Sequence, residues 1–176
     1  MTGTKEGYDA PPAALSDDAA DSTLLAVGDS GGDRLGGSEY LAQTGGSDRF
    51  PALPENPREV VETLAEIADH EATAAVHDVS HGGLAVALAE MVTDEAGATA
   101  DVASVEALFA ETPGRAVVAT TDAEAVREAF EGVAPVAELG EADDSGALSL
   151  TVDGESLNYG AAEIADLRDV LARELD

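Results

Sequence analysis

His77-Asp78-Val79-Ser80-His81-Gly82-Gly83-Leu84-Ala85-Val86-Ala87-Leu88-Ala89-Glu90-Met91 contains a change of hydrophobic period. Thr73 to Val79 reads as a short strand, and from Gly83 the residues Leu84, Leu88, Met91 and Val92 recur at helical spacing. Two glycines stand where strand passes into helix. Asp78 and Ser80 lie two apart at the strand end, so both side chains project to one side. A carboxylate suits Mg²⁺, and a hydroxyl suits a phosphate oxygen or a metal-bound water. Gly82 and Gly83 let a phosphate approach the first amides of the helix. The competing reading is that Asp78 and Ser80 only cap the helix while the glycines permit the turn. Spacing alone leaves both open.

Outward from this junction, Leu24-Leu25-Ala26-Val27 reads as a buried strand ending at Gly28, followed by a glycine-rich loop to Gly37. Ser38 is placed to cap a short helix through Tyr40 and Leu41. Asn56-Pro57 opens a helix whose Val60, Leu64 and Ile67 share a face and which ends near Glu71. Further strands are expected at Thr99 to Ala103, Arg115 to Thr120, Val133 to Leu139 and Ala147 to Val152, with a capping box Thr121-Asp122-Ala123-Glu124 between the second and third. Ile164, Leu167, Leu171 and Leu175 form one face of a terminal helix. The spacing of 133–139 and 147–152 suggests a hairpin, which favours an α+β fold with a layered mixed sheet and flanking helices. Residues 1–22 carry no sustained period and read as a loose leader to a domain spanning 23–176. The core is expected to comprise Val60, Leu64, Ile67, Leu84, Leu88, Met91, Leu167 and Leu171 beneath the sheet.

The charge balance narrows the partners. Eight Lys plus Arg stand against 37 Asp plus Glu, a net −29, and Lys5 is the single lysine. Nucleic acid is excluded as a direct partner because phosphate binding needs a basic face. The acids interleave with periodic apolar residues, so they read as the solvated surface of a folded, halophilic protein whose self-repulsion is screened by molar salt. The absence of cysteine excludes a disulfide framework and suits the cytoplasm. No apolar run approaches the roughly 20 residues of a membrane span, and no signal-peptide layout opens the chain.

Two further patterns bear on chemistry. His77 and His81, four apart with Asp78 between, formally imitate a zinc-hydrolase signature, but that chemistry needs one helix through both histidines, and Val76, Val79 and the glycine pair oppose it. Gly36-Gly37-Ser38 before a helix outlines a backbone phosphate loop. A glycine-serine cap without a ligand has the same appearance. Asp29 and Asp33 nearby read as solvated loop charge.

Leu35-Gly-Gly-Ser-Glu-Tyr-Leu41, His77-Asp-Val-Ser80 with Gly82 to Met91, and Gly114-Arg-Ala-Val-Val118 together resemble, in order and spacing, the C-terminal part of phosphoribosylformylglycinamidine synthase. The resemblance runs from about Thr23 onward and implies the α+β C-terminal domain found in aminoimidazole ribonucleotide synthetase. It implies a role in purine biosynthesis, where a ligase uses ATP and glutamine-derived ammonia to turn formylglycinamide ribonucleotide into the amidine. It implies that Asp78 is a Mg²⁺ ligand and that Ser80, Gly82 and Gly83 contact a bound ATP or ADP. His81 stands where the family has a second aspartate. The family's catalytic histidine belongs to upstream domains, so the resemblance implies an inactive isolated chain whose partners are those domains, a glutaminase subunit and a small accessory subunit. A non-catalytic assembly domain is the alternative.

Overall fold

Leu24 to Val27 are apolar at every position because both faces of their strand are covered. The computed structural model describes residues 11–30 and 34–168. In chain order these hold a 3-10 turn (Asp17–Ala19), β1 (Thr23–Val27), α1 (Glu39–Thr44), α2 (Pro57–Ala68), β2 (Thr73–Asp78), α3 (Gly83–Met91), β3 (Gly97–Val102) and α4 (Val105–Phe109). There follow β4 (Ala116–Thr120), α5 (Ala123–Ala129), β5 (Val136–Asp143), β6 (Ala147–Val152), β7 (Glu155–Gly160) and α6 (Ala161–Arg168). The described strands form one mixed sheet in the order β2-β4-β1-β5-β3-β6-β7, in which only β3 and β6 run parallel.

Side-chain alternation sorts the core onto two faces. Leu24, Ala26, Val117 and Ala119 pack with Leu84, Leu88 and Met91 of α3 on one side. Leu25, Val27, Ala116 and Val118 pack with Val60 and Ile67 of α2 and with Val126 and Phe130 on the other. The expected core is therefore divided by the sheet rather than gathered beneath it. Leu64 is half-buried against the second cluster, Leu167 is 61% exposed, and Leu171 and Leu175 lie outside the described residues.

The expected hairpin between 133–139 and 147–152 does not form. β3 lies between those strands, antiparallel to β5 and parallel to β6. Glycines make the insertion sterically possible. The link from β5 to β6 crosses Gly97, where a Cβ would meet the Ala147 carbonyl oxygen and Asp143 Oδ1 at 2.6 Å. Gly140 holds a φ of 150° and is backed by Ala100 Cα at only 3.1 Å from an added Cβ. Across from it the β1–β5 register skips Leu139, a bulge that bends β5 between its neighbours. The hairpin that does form is β6–β7, closed by Asp153 and Gly154 at φ 51° and 81°. Two consecutive positive φ values are those of a type I′ turn, for which Asp-Gly is a preferred pair.

Several local expectations are corrected. The α5 cap is Asp122, whose carboxylate accepts the Ala125 amide at 3.1 Å, rather than Thr121. Thr120 supports it by accepting the Asp122 amide through its hydroxyl. Helix α4, capped by Ser104, and strand β7 had no counterpart in the sequence reading. Residues 11–22 are held on the domain rather than loose. Leu15 is buried, its amide donates to the Met91 carbonyl at 2.7 Å, and Val76 donates to the Pro12 carbonyl at 3.0 Å. Residues 1–10 lie outside the described set.

Candidate functional site

β2 is anchored to β4 along its length, and Val79 extends the pairing by donating to the Arg115 carbonyl at 3.0 Å. With Val79 buried, its neighbours Asp78 and Ser80 emerge together on the exposed side. The chain then turns: Gly83 donates to the Ser80 carbonyl at 3.0 Å, and Gly82 and Gly83 take φ values of 82° and 65°. These angles favour glycine. Packing demands it as well, because a Cβ on Gly83 would lie 2.5 Å from the Leu108 carbonyl oxygen. The first residue of α3 is thus pressed against the end of α4.

Gly82 occupies the N-cap position of α3, and among the described residues no side chain caps this helix. Asp78 and Ser80 are therefore not its caps. Among the described residues the Asp78 carboxylate has no hydrogen-bond or ion-pair partner, whereas the residue's carbonyl meets His77 Nδ1 at 2.7 Å. Asp78, Ser80 and His81 line an open cavity of about 490 Å³ together with Glu111, Thr112 and Arg115.

His77 turns elsewhere, its Nε2 lying 3.3 Å from Glu90 of α3, which also pairs with Arg168 of α6 at 2.9 Å. Residues 77–81 are strand and turn, so the two histidines do not share a helical face and the zinc-hydrolase pattern is not realised. Among the described residues no three His, Asp or Glu side chains converge as a metal cluster.

The second glycine turn is built differently. Ser38 Oγ caps α1 by accepting the Leu41 amide at 3.3 Å and is itself buried. Gly36 donates to the Arg49 carbonyl at 3.0 Å, and a Cβ there would lie 2.5 Å from the oxygens of Asp48 and Arg49. Phe50 covers Gly37. Asp48 accepts the amides of Leu35 at 2.8 Å and Arg49 at 2.7 Å, which hold its carboxyl below the ordinary range. The Gly36 amide is thus taken by Arg49, and the Phe50 ring lies against Gly37. Tyr40 stacks on Phe109 at 4.8 Å between ring centroids, joining α1 to α4.

Glu111 connects the two turns. Its Oε1 accepts the Glu39 amide at 2.7 Å and the Gly82 amide at 2.8 Å, so the two segments expected to hold phosphate converge on one protein oxyanion. Arg115 is 4% exposed, with Nη1 donating to the Ala110 carbonyl at 2.9 Å. Burial pushes its pKa down, and the charge of Asp29 acts in the opposite direction. Sequence reading did not single out Glu111 or Thr112. Nothing local distinguishes one acid among 37 or a threonine in a loop, and Arg115 entered only within a motif.

The model of the AIR synthase related protein, C-terminal domain family matches residues 19–153. The phosphoribosylformylglycinamidine synthase subunit PurL of Natronomonas pharaonis is 59% identical over 100% of this chain, which spans 25% of that protein. The chain therefore covers about a quarter of the length of this curated relative. Among solved structures, the Thermotoga maritima PurL complexed with ATP superposes with a TM-score of 0.61 at 15% identity, covering 86% of this chain and 27% of that one. The structure of PurLQS from the same organism gives 0.58 at 13% identity, over 89% and 27%. Identities this low speak for the fold alone. The family match extends from the end of the 3-10 turn to the β6–β7 hairpin, and so the chain belongs to the AIR synthase related C-terminal domain family.

Proposed function

We propose that this chain serves as the C-terminal domain of a phosphoribosylformylglycinamidine synthase large subunit. In that role it contributes one wall of the nucleotide site of a ligase that uses ATP and glutamine-derived ammonia to convert formylglycinamide ribonucleotide to formylglycinamidine ribonucleotide. The relative at 59% identity over the whole chain carries that name and supports this assignment over a separate assembly domain.

The observation that carries the reading of the site is the carboxylate of Asp78, without a partner among the described residues, beside Ser80 on one cavity wall. Mg²⁺ prefers oxygen ligands in octahedral geometry and commonly takes one or two protein carboxylates, with waters and phosphates supplying the rest. Asp78 fits as one such ligand, and His81 supplies no second carboxylate. When bound, the cation neutralises phosphate charge. Ser80 is suited to donate to a phosphate oxygen, and Gly82 and Gly83, whose amides are held by Glu111 and the Ser80 carbonyl, shape the turn that follows it. Gly36, Gly37 and Ser38 lead into α1, whose Glu39 amide Glu111 holds, and they support the wall through that bond.

Upstream synthetase domains complete the site, with glutaminase and small accessory subunits as further partners. The PurLQS structure names an assembly of this kind for its own protein. A cytoplasmic location accords with this role, and among the described residues no helix is long and apolar enough to cross a membrane.

The test is Asp78→Asn in the enzyme assembled from this chain and the upstream domains. Mg²⁺-dependent nucleotide retention should fall, because an amide does not offset the cation's charge, while Ser80→Ala should lose only about 0.5–1.5 kcal/mol. Unchanged retention in Asp78→Asn would sink the reading.

A further inference from the structure

The two edges of the sheet differ in how they are closed. At one end β2 carries a register shift between Thr73 and Ala75, and its Val76 amide donates to the Pro12 carbonyl at 3.0 Å. At the other end β7 runs six residues against β6 without a register shift, and among the described residues no strand lies beyond it. Folded proteins guard such an edge with proline, lysine, a bulge or a covering segment. Glu155–Gly160 contains no proline, lysine or bulge, and Glu155 at its start is its single charge.

The turn decides which backbone groups face outward. Val152 pairs with Glu155 across the two-residue Asp153-Gly154 turn, and the pair flanking such a turn is hydrogen-bonded. Bonded and non-bonded pairs then alternate, so Glu155, Leu157 and Tyr159 bond to β6, while the amides and carbonyls of Ser156, Asn158 and Gly160 point to the open edge. The surface beside that edge is apolar. Leu157 is 44% exposed and Leu167 61%, and with Tyr159 and Ile164 they line a cleft of about 270 Å³ whose walls include no acidic residue, in a chain that has 37.

We propose that β7 pairs antiparallel with β7 of a second copy of this chain, about a two-fold axis that passes between the two Leu157 residues. An axis normal to the sheet keeps each strand's faces, so odd-numbered residues oppose odd and even oppose even. Ser156 then exchanges hydrogen bonds with Asn158 of the second copy, matching the groups that point outward. The two Leu157 side chains meet in a non-hydrogen-bonded position, where Cα atoms lie about 4.5 Å apart and side chains are closest. Charge permits this register, because Glu155 falls opposite Tyr159 and no acid of the strand opposes another. Molar salt screens the repulsion between the remaining acids. Asp78 ends β2 at the far side of the sheet, so the pairing leaves the proposed nucleotide wall open and does not depend on it.

Light scattering of the full 176-residue chain in molar KCl tests the pairing. The expected mass is about twice 17.7 kDa, falling to that of one copy in Asn158→Pro, which removes an outward amide and none that bonds to β6. The chain has no cysteine, so single cysteines report the register. Oxidation should link two copies of Leu157→Cys at least about tenfold faster than two copies of Ser156→Cys, because only position 157 faces itself within disulfide reach. A monomeric parent overturns the proposal and leaves the edge to another occupant, such as an upstream domain. Open-ended aggregates overturn it too, as does a dimer indifferent to Asn158→Pro or equal linking at the two cysteine positions. Should Asn158→Pro fail to fold, the parent's mass and the cysteine pair decide.

Discussion

Glu111 Oε1 accepts the backbone amide of Gly82 at 2.8 Å across 29 positions of chain. The same oxygen takes the Glu39 amide at 2.7 Å. Amides at helix starts attract anions, and here a side chain of the protein fills that role for α1 and α3 together. The wall that carries Asp78 and Ser80 is thereby tied to the Gly36-Gly37-Ser38 turn.

Removing that tie should release both amides at once. Glu111→Ala is expected to destabilise the domain by about 1–3 kcal/mol, and Glu111→Gln, which keeps an acceptor oxygen, by less. Amide hydrogen exchange provides the check, because Gly82 and Glu39 should lose protection together. Independent behaviour of the two amides would refute a shared acceptor.

Gly97→Ala tests the crossing of β5 to β6. A Cβ at 97 meets the Ala147 carbonyl oxygen at 2.6 Å, and a backbone atom in a strand cannot move aside cheaply. The expected loss is about 1–3 kcal/mol. Gly160→Ala is the control, having nothing within 4 Å of its added Cβ, and should stay within about 0.5 kcal/mol of the parent. Equal urea midpoints for the two variants would contradict the crossing.

Acid should expose the contribution of Asp143. Burial alone raises its pKa, but bonds from Ser145 and from the Thr99 hydroxyl outweigh burial and hold the folded value below the ordinary carboxylate. A pKa depressed by folding adds stability above the unfolded value near about 3.9, and this is lost as pH falls through the folded value. The stability difference between the parent and Asp143→Asn should therefore shrink below about pH 4. Solvent screening keeps that difference under about 1 kcal/mol. Denaturant melts of both proteins from about pH 3 to 6 measure it, and a difference constant with pH would exclude the linkage.

Salt should stabilise the chain. A net −29 repels itself, and screening strengthens as the Debye length falls to about 3 Å near 1 M. Circular dichroism melts in rising KCl are expected to show increasing cooperativity and melting temperature. Identical melts in low and molar salt would remove the halophilic reading.

What the sequence determined by itself was local. Glu59 and Asn56 bond reciprocally at the start of α2 where Asn56-Pro57 announced it, and Asp78 and Ser80 emerge together where their spacing put them. Near-neighbour sterics and side-chain periodicity decide such features within a few residues. The Asp153-Gly154 turn was equally local and went unread, although its dipeptide is a hairpin signal. Only the tertiary structure decided that β3 separates β5 from β6, because strand order depends on which backbones can approach across Gly97 and Gly140. It alone set Glu111, Thr112 and Arg115 along the cavity that Asp78 lines. An acid, a hydroxyl and an arginine acquire their roles from what they face after burial, and no periodicity records a contact between residues brought together by the closing of a sheet.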